Sequence, residues 1–339
     1  MKTQQLIVVE PGRIELQEHD LDETLKPNEA LVRGEYSVVS AGTEGAGFTG
    51  LEKEAPFFGD RVQYPRRTGY GHLGEVLAVG SDVTMCQAGD RVLSFSNHAS
   101  VVKADAVRMA LPIPKDTDGK RLVFARMAGV SISAVRSSTV QPGDTVLVIG
   151  MGLVGNFAAQ FFQMAGADVM ATDLSEFRLQ KARACGIGRT VNAGTADLQA
   201  AVMDWTAGKG AHVVVEAIGN SQVINEAVML ARQYGEVILL GSPRARVTLD
   251  VTPMLLRIHL YAIRMIGSLE WRWPMHETDR VRSLIDNYRQ IVRWIADGRI
   301  IVEPLLTHLA SPADCQAIYD GLTQNREEYL GAVFDWGRV

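Results

Sequence analysis

The chain has 339 residues, about twice the usual length of one domain, which favours two domains. Hydrophobic residues make up 47% and charged residues 22%, which excludes a disordered tail and allows a sizeable core. The formal net charge of -5 gives no electrostatic reason to expect nucleic acid or an anionic membrane as a partner. The three cysteines, Cys86, Cys185 and Cys315, are far apart, which excludes a disulfide framework and favours a reducing cytoplasm.

The first 115 residues predict short strands separated by turn signals. The apolar runs are LIVV, ALVRGEYSVVS, GEVLAVG and DRVLSFS, with Gly, Pro and Asp clusters between them. This pattern is typical of an antiparallel, barrel-like β domain.

From Gln141 the pattern changes to apolar strands that alternate with helices. The predicted strands are TVLVI, DVMAT, HVVVEAIG, EVILLGS and RMIGS, and the predicted helices cover 153–165, 175–185 and 221–233. Alternation of this kind favours a parallel sheet that is covered on both faces. After Pro274 the sequence predicts a helix over 281–298, a strand over 299–306, a helix over 311–322 and a last strand over 331–336.

These elements predict an α/β protein in which one domain is inserted into the other. Residues 1–120 and 271–339 form the β-rich domain, and residues 121–270 form the inserted parallel-sheet domain. The nearly uncharged stretch 146–169 contains Gly150, Gly152 and Gly155, so we interpret it as a strand, a glycine turn and a helix. A membrane span is not expected.

A dinucleotide-binding fingerprint lies at the start of this inserted domain. The GxGxxG of Gly150, Gly152 and Gly155 directly follows a strand and begins a helix, and Asp173 ends the next strand. The glycines allow a tight turn, a close approach of backbone N–H groups to a pyrophosphate, and close packing of the helix on the strand. Because Asp173 can accept hydrogen bonds from ribose hydroxyls and would repel a 2'-phosphate, the sequence favours NAD over NADP.

Further candidates for cofactor binding lie beside this fingerprint and after the later strands. Arg178 either covers the adenine or caps its helix, and the glycines after the later strands are either neighbours of the nicotinamide or simple turn residues. The additional candidates are Leu153, Val154, Leu174, Arg178, Ile218, Gly219, Gly241, Ser242, Gly267 and Ser268.

Six ordered motifs resemble the medium-chain dehydrogenase/reductase superfamily, most closely its polyol and threonine dehydrogenase branch. They are SAGTE (40–44), GYGHLGEVLAVG (69–80), AGDRV (88–92), HASVV (98–102), PGDTVLVIGMGLVG (142–155) and EPLLTH (303–308). The resemblance implies a GroES-like β-rich catalytic domain, a Rossmann domain, hydride transfer between an alcohol carbon and nicotinamide, and a homodimer formed through the Rossmann edge strand. It places Trp271 and Trp273 near the substrate.

The sequence departs from the zinc-dependent members of this superfamily at their ligand positions. Ala41 stands where the resemblance implies a cysteine, Tyr70 where it implies a histidine, and Arg126 where it implies a glutamate. Alanine has no donor atom and arginine cannot coordinate zinc. The four-cysteine lobe that carries structural zinc is missing as well. We therefore expect no metal.

A zinc-free site needs other groups to stabilise the charge on the reacting oxygen. The candidate catalytic residues are Thr43, Glu44, Tyr70, His72 and Arg126, and the candidate substrate contacts are Ser40, His98, Trp271 and Trp273. Each has a structural alternative: Glu44 and Arg126 could form a buried ion pair, and Tyr70, the two histidines and the two tryptophans could be packing residues.

The leading functional hypothesis is a zinc-independent, NAD-dependent oxidoreductase that acts on a secondary alcohol or ketone, with a polyol, sugar or glycoside as its small-molecule substrate. The second hypothesis is reduction of an enone or quinone double bond, which normally accompanies NADPH. The third is a nucleotide-binding protein without catalytic activity.

Overall fold

The structure is a computed structural model that describes residues 1–57, 59–106, 112–276, 278 and 283–339. The strands are β1 (Lys2–Glu10), β2 (Arg13–Asp20), β3 (Glu29–Val38), β4 (Arg66–Arg67), β5 (His72–Val79), β6 (Arg91–Ser94), β7 (Val101–Asp105), β8 (Thr145–Ile149), β9 (Asp168–Asp173), β10 (Arg189–Asn192), β11 (Ala211–Glu216), β12 (Ala231–Leu239), β13 (Arg264–Gly267), β14 (Leu306–Ala310) and β15 (Gly331–Asp335).

The α-helices of these described residues are α1 (Ala41–Thr49), α2 (Gly119–Leu122), α3 (Ala125–Ser137), α4 (Leu153–Met164), α5 (Glu176–Ala184), α6 (Leu198–Trp205), α7 (Ser221–Leu230), α8 (Thr252–Tyr261), α9 (Leu284–Ala296) and α10 (Cys315–Gln324). Within the same part of the chain, no helix is long and apolar enough to cross a bilayer. Cys86, Cys185 and Cys315 are buried and are not joined by disulfides.

The chain divides into two compact units. The first contains residues 1–53, 58–129 and 273–339, and the second contains residues 54–57 and 130–272. The limits of the units therefore lie at 129 and 272, whereas the sequence predicts 120 and 270. One reason is that the side chain of Arg126, at the start of α3, is bonded within the first unit to Tyr70 and Tyr288.

The second unit contains a six-stranded parallel sheet in the order β10-β9-β8-β11-β12-β13. Both faces of its central strands are buried, which explains their continuous apolar sequences. Val146 and Val148 of β8 pack in one core with Phe162 of α4, whereas Leu147 and Ile149 pack in the opposite core with α7. The strand order reverses between β8 and β11, which is the switch point of a doubly wound Rossmann sheet.

The first unit is built mainly from antiparallel strands. One sheet has the order β2-β1-β4, and a larger sheet follows the path β14-β15-β3-β5-β6, with β7 paired to β3. Strands β14 and β15 are parallel, although the other pairs in this unit are antiparallel. A core that includes Leu6, Phe48, Tyr319, Phe334 and Trp336 joins the two ends of the chain.

Two predicted elements are wrong in position. The strand expected over 299–306 lies later, at Leu306–Ala310, because Pro304 lacks an N–H group and stands in a short 3-10 turn over Glu303–Leu305. The helix expected over 221–233 ends at Leu230, because Ala231 has an extended backbone and begins β12. The first two residues of the helix expected over 281–298 lie outside the described residues, and α9 begins at Leu284.

Candidate functional site

The glycine turn after β8 has the geometry that its sequence predicts. Gly150 has a φ of +97° and donates its N–H to the carbonyl oxygen of Thr172 at 2.8 Å. A Cβ atom at Gly155 would overlap with the carbonyl oxygen of Gly150, so glycine alone lets α4 begin this close to the turn. Gly152, which caps α4, has open space where a Cβ would stand. The N-terminus of α4 is therefore accessible to an anion.

The residues beside these glycines divide into a core face and an open face. Leu153 and Val154, the first residues of α4, pack toward the core, so what they offer a ligand is the backbone of the first helical turn. Leu174, directly after β9, is 73% exposed, and Ile218, after β11, is 52% exposed. Apolar side chains that stand open beside such a turn are suited to contact the flat rings of a dinucleotide.

The carboxylate of Asp173 lies against the glycine turn. Its Oδ2 accepts from the N–H of Met151 at 2.7 Å and its Oδ1 accepts from the N–H of Ser175 at 2.9 Å. Ser175 caps α5 by accepting from the N–H of Arg178, so Arg178 is not the cap. The guanidinium of Arg178 instead lies 3.9 Å from Asp173.

The loops after β11 and β12 pack back to back. Gly219 has a φ of +79°, and a Cβ there would lie 2.5 Å from the carbonyl oxygen of Ser242. A Cβ at Gly150 would lie 2.6 Å from Ile218, and one at Gly241 would overlap with the backbone of Gly219. The turns that follow β8, β11 and β12 are thus in mutual contact at the carboxyl edge of the sheet.

The last two cofactor candidates differ from these. Gly267 is exposed on the edge strand β13, but Ser268 is only 2% exposed and its hydroxyl donates to the hydroxyl of Ser133 at 2.9 Å. The Ser268 side chain is therefore buried inside the second unit, where its hydroxyl donates to Ser133.

The residues of the second unit fit a dinucleotide. The open cradle at Gly152, the N–H groups at the start of α4 and the carboxylate of Asp173 are the groups that a pyrophosphate and an adenosine ribose require.

In the first unit, Glu44 is the centre of a buried hydrogen-bond network. Its Oε1 accepts from the N–H of Ser40 at 2.8 Å, and its Oε2 accepts from Nε2 of His98 at 2.9 Å, from Thr68 at 3.2 Å and from the hydroxyl of Tyr319. Burial opposes ionisation of this carboxyl, but His98, Tyr319 and the Ser40 N–H outweigh it and lower its pKa.

The network continues from His98 into the sheet. Nδ1 of His98 lies 2.8 Å from the hydroxyl of Ser37, which also accepts from Nε1 of Trp336 at 2.9 Å. His98 is fully buried. It therefore orients Glu44 and has no exposed surface with which to contact a substrate, in agreement with its structural alternative.

Tyr70, at the position of the missing histidine, belongs to a second hydrogen-bonded group. Its hydroxyl donates to the hydroxyl of Ser40, and the hydroxyl of Thr43 also interacts with the phenol. Burial raises the pKa of Tyr70, although the nearby guanidinium of Arg126 opposes the shift. Ser40 joins the two groups, because its N–H donates to Glu44 and its hydroxyl accepts from Tyr70. Thr43 is exposed.

Arg126 is a fully buried cation within an aromatic cage. Its guanidinium carbon lies 4.5 Å from the ring centres of Tyr70 and Phe95 and 5.7 Å from that of Tyr288. Its Nε donates to the carbonyl oxygen of Tyr70 at 2.9 Å and its Nη1 to the hydroxyl of Tyr288 at 2.5 Å. Glu44 is hydrogen-bonded to His98 and makes no ion pair with Arg126, so the Glu44–Arg126 pair that the sequence allows is not formed.

The three positions do not fit zinc. Ala41 offers no donor atom, the phenol of Tyr70 is engaged with Ser40, and Arg126 is itself cationic. Among the described residues, no three histidines, cysteines or acidic residues are grouped so that they could hold a metal ion.

His72 lies apart from these groups. It is fully buried in β5, its Nε2 donates to the carbonyl oxygen of Ala99 at 3.0 Å, and burial lowers its pKa to about 4. Such a ring is neutral and shielded near pH 7, which favours its structural alternative. Trp271 is 46% exposed and belongs to the second unit, whereas Trp273 is half-buried and belongs to the first.

Sequence reasoning missed several partners of these candidates. Some of them, such as Ser37 and Thr68, lie near the candidates in sequence, whereas Tyr288, Tyr319 and Trp336 lie in segments far along the chain. The missed residues are Ser37, Thr68, Phe95, Tyr288, Tyr319 and Trp336.

Comparisons with known proteins agree with this architecture. Residues 154–280 match the family model of zinc-binding dehydrogenases. The chain is 30% identical over 287 residues to L-threonine 3-dehydrogenase of Symbiobacterium thermophilum, an alignment that covers 75% of this chain and 77% of the relative.

Two solved structures are similar over almost the whole chain. Galactitol-1-phosphate dehydrogenase of Escherichia coli has a TM-score of 0.83 and 18% identity, with 98% of this chain and 99% of that one covered. A protein of Sinorhizobium meliloti assigned as a zinc-binding dehydrogenase, bound to NADP, has a TM-score of 0.82 and 18% identity, with 99% of both chains covered. At these identities the likeness shows the fold: a GroES-like β-rich domain and a Rossmann domain, as the sequence predicts.

Proposed function

Since the chain belongs to the medium-chain dehydrogenase/reductase superfamily and is thus an oxidoreductase, we propose that it is a zinc-independent, NAD-dependent dehydrogenase of secondary alcohols. A bound nicotinamide would accept or return the hydride. The substrate class, a polyol, sugar or glycoside, follows from the resemblance to the polyol dehydrogenase branch and is supported by the likeness to galactitol-1-phosphate dehydrogenase. The observation that carries the proposal is the complete dinucleotide turn with Asp173 bonded against it.

Asp173 supports NAD as the preferred cofactor. Its carboxylate is fixed by the N–H groups of Met151 and Ser175, so its negative charge stays beside the turn and would repel a 2'-phosphate. Arg178, at 3.9 Å, opposes that effect in part. One similar structure holds NADP, so the selectivity must be measured on this chain.

We assign the proton of the reaction to Tyr70. Because burial raises its pKa, the phenol keeps its proton near neutral pH and can donate it while a ketone is reduced. Ser40 orients the phenol, and Thr43, an exposed residue whose hydroxyl interacts with the phenol, would lie beside the substrate oxygen. Arg126 supplies a permanent positive charge in a region where the zinc-dependent members use a metal.

We also propose a cytoplasmic homodimer that forms through the edge strand β13. Met265 on this strand is 37% exposed, and Leu255, Leu256 and Leu260 of α8 are between 54% and 61% exposed. An apolar surface of this kind favours association. Analytical ultracentrifugation of the protein and of Met265→Lys checks this: the variant should sediment as a monomer.

The proposal is tested by fluorescence titration with NADH and NADPH, followed by turnover assays on a panel of polyols, sugars, simple alcohols and enones. We expect tighter binding of NADH and turnover of a secondary alcohol. Binding of NADH without turnover on the whole panel would favour a protein without catalytic activity. One zinc ion per chain in metal analysis of the purified protein would contradict the zinc-independent site.

A further inference from the structure

A buried carboxylate that the proposed reaction does not use lies at the carboxyl end of β11. Glu216 is fully buried, and among the described residues its carboxylate is hydrogen-bonded to the loop that follows its own strand. Its Oε1 accepts from the N–H of Ile218 at 2.9 Å and from the N–H of Gly219 at 2.8 Å, and the N–H of Asn220 lies at 3.4 Å. The side chain thus collects the backbone donors of one loop.

The backbone of the same residue holds a second loop. The carbonyl oxygen of Glu216 accepts from the N–H groups of Leu240 and Gly241, both at 2.9 Å. Glu216 therefore fixes the loop after β11 through its carboxylate and the end of β12 through its carbonyl. These are the two loops that pack against each other at Gly219, and the first of them touches Gly150 through Ile218.

From this arrangement we propose that Glu216 is a positioning residue for the dinucleotide: its carboxylate sets the loop 217–220 against the glycine turn at the edge where the cofactor binds. The inference rests on the proposed function. Aligned parallel strands bind their ligands at this edge, so a displaced loop would weaken cofactor binding without touching the residues that transfer the proton.

The charge of Glu216 offers a readout that a purely structural role would not move. Burial raises its pKa, whereas the N–H groups of Gly219, Ile218 and Asn220 lower it. The net pKa is raised, so the carboxylate takes up its proton at a higher pH than an ordinary glutamate and then loses part of its capacity to accept. Affinity of the wild-type protein for NADH should therefore fall as the pH falls.

The experiment measures the dissociation constant for NADH between pH 8 and pH 5.5 with the full-length protein. In Glu216→Gln one acceptor oxygen becomes an NH2 group that faces backbone donors, so at pH 8 we expect the constant to rise about tenfold, and kcat at saturating NADH to change less. The difference between the dissociation constants of this variant and the wild type should become smaller as the pH falls. The matched control is Glu236→Gln, because Glu236 is also buried in this sheet but bonds to Thr139 and Arg264; its constant should stay within about twofold.

A second variant protects the test against a folding defect. Gly219→Ala leaves the carboxylate intact but forces the loop away from Ser242, and we expect a similar rise in the dissociation constant. Thermal melting identifies a variant that does not fold. If one of the two variants does not fold, the NADH affinity of the other tests the inference. Unchanged NADH affinity in the folded variants would overturn the inference alone. A wild-type protein that binds neither NADH nor NADPH would overturn the proposed function and the inference with it.

Discussion

The two regions that carry the candidate chemistry are built in different ways. In the second unit, the turns at the carboxyl edge of the sheet are shaped by backbone: glycines at 150, 155 and 219 and N–H groups bonded to Asp173 and Glu216. In the first unit, the network is made of side chains from distant segments, with Glu44 bonded to His98 and Tyr319, and Arg126 bonded to Tyr288.

This difference determines how each region should respond to substitution. A backbone turn depends on local geometry, so a change there should affect one ligand and leave the rest of the fold in place. A buried side-chain network couples strands and helices, so a change there should alter both stability and chemistry. The predictions below separate these two kinds of response.

The largest effect is expected at Tyr70. In Tyr70→Phe the proposed proton donor is removed while the ring over Arg126 remains, so kcat for ketone reduction should fall between about a hundredfold and ten-thousandfold. NADH affinity should change little, since the phenol belongs to the first unit. Stopped-flow and steady-state assays with the best substrate of the panel measure both quantities.

The matched control for Tyr70 is Tyr319→Phe. This substitution removes a hydroxyl from the same network, but one that is bonded to Glu44 in the interior and is fully buried. It should reduce stability and leave most of kcat in place. Equal kcat values for Tyr70→Phe and the wild type would remove Tyr70 from the mechanism.

The next effect is on stability, at Glu44. Glu44→Gln replaces a buried carboxylate that accepts from Ser40, Thr68, His98 and Tyr319, and it leaves a buried imidazole without its anionic partner. We expect the free energy of unfolding to fall by about 3 to 5 kcal/mol. Chemical denaturation of the wild type and the variant measures this difference. A decrease in the free energy of unfolding below about 1 kcal/mol would show that the network contributes little to stability.

The contrast between the units also explains what the sequence could predict. The turn at Gly150, Gly152 and Gly155 can be predicted from the sequence, because its residues are close together in the chain and the local backbone geometry requires glycine there. The first unit's candidates follow from the resemblance alone. Their partners Tyr288 and Tyr319 lie about 160 and 275 residues away from Arg126 and Glu44, and nothing local in the sequence marks them.

Even within the second unit, a local pattern had limits. Glu216 ends an apolar strand, and its sequence position does not predict a role, because a single acidic residue at a strand end is usually exposed. Its burial follows from the loop that folds back over it, which depends on Gly219 and its contact with Ser242. The strand predicted over 299–306 is wrong in position. Pro304 stands in a 3-10 turn, and the strand lies after it, at Leu306–Ala310.

An acid-dependent loss of stability should trace to His72. Its pKa is lowered from 6.5 to about 4 in the folded protein, so between these values the unfolded chain binds more protons than the folded one. The stability is therefore fully present above about pH 6.5 and is lost as the pH falls toward 4, by about 3 kcal/mol.

The measurement for His72 compares unfolding free energies of the wild type and His72→Gln at pH 7 and pH 4.5. Glutamine can still donate to the carbonyl oxygen of Ala99 but does not titrate, so its pH dependence should be shallower. The lowered pKa of Glu44 also makes the folded protein less stable in acid, and this contribution to the pH dependence should be present in both proteins. Identical pH slopes would mean that His72 does not contribute.

The smallest effect is expected at Asp173, and it tests directly whether the two units respond differently to substitution. Asp173→Asn keeps the shape and one acceptor oxygen toward Met151 or Ser175 but removes the charge, so the ratio of NADH to NADPH affinity should fall about tenfold. Asp168→Asn at the other end of β9, where the carboxylate bonds to Trp205, is the control and should leave the ratio unchanged. Because the turn is held by backbone, the melting temperature of Asp173→Asn should drop far less than that of Glu44→Gln. A large loss of stability at Asp173 would instead show that the cofactor edge, like the first unit, is maintained by its side chains.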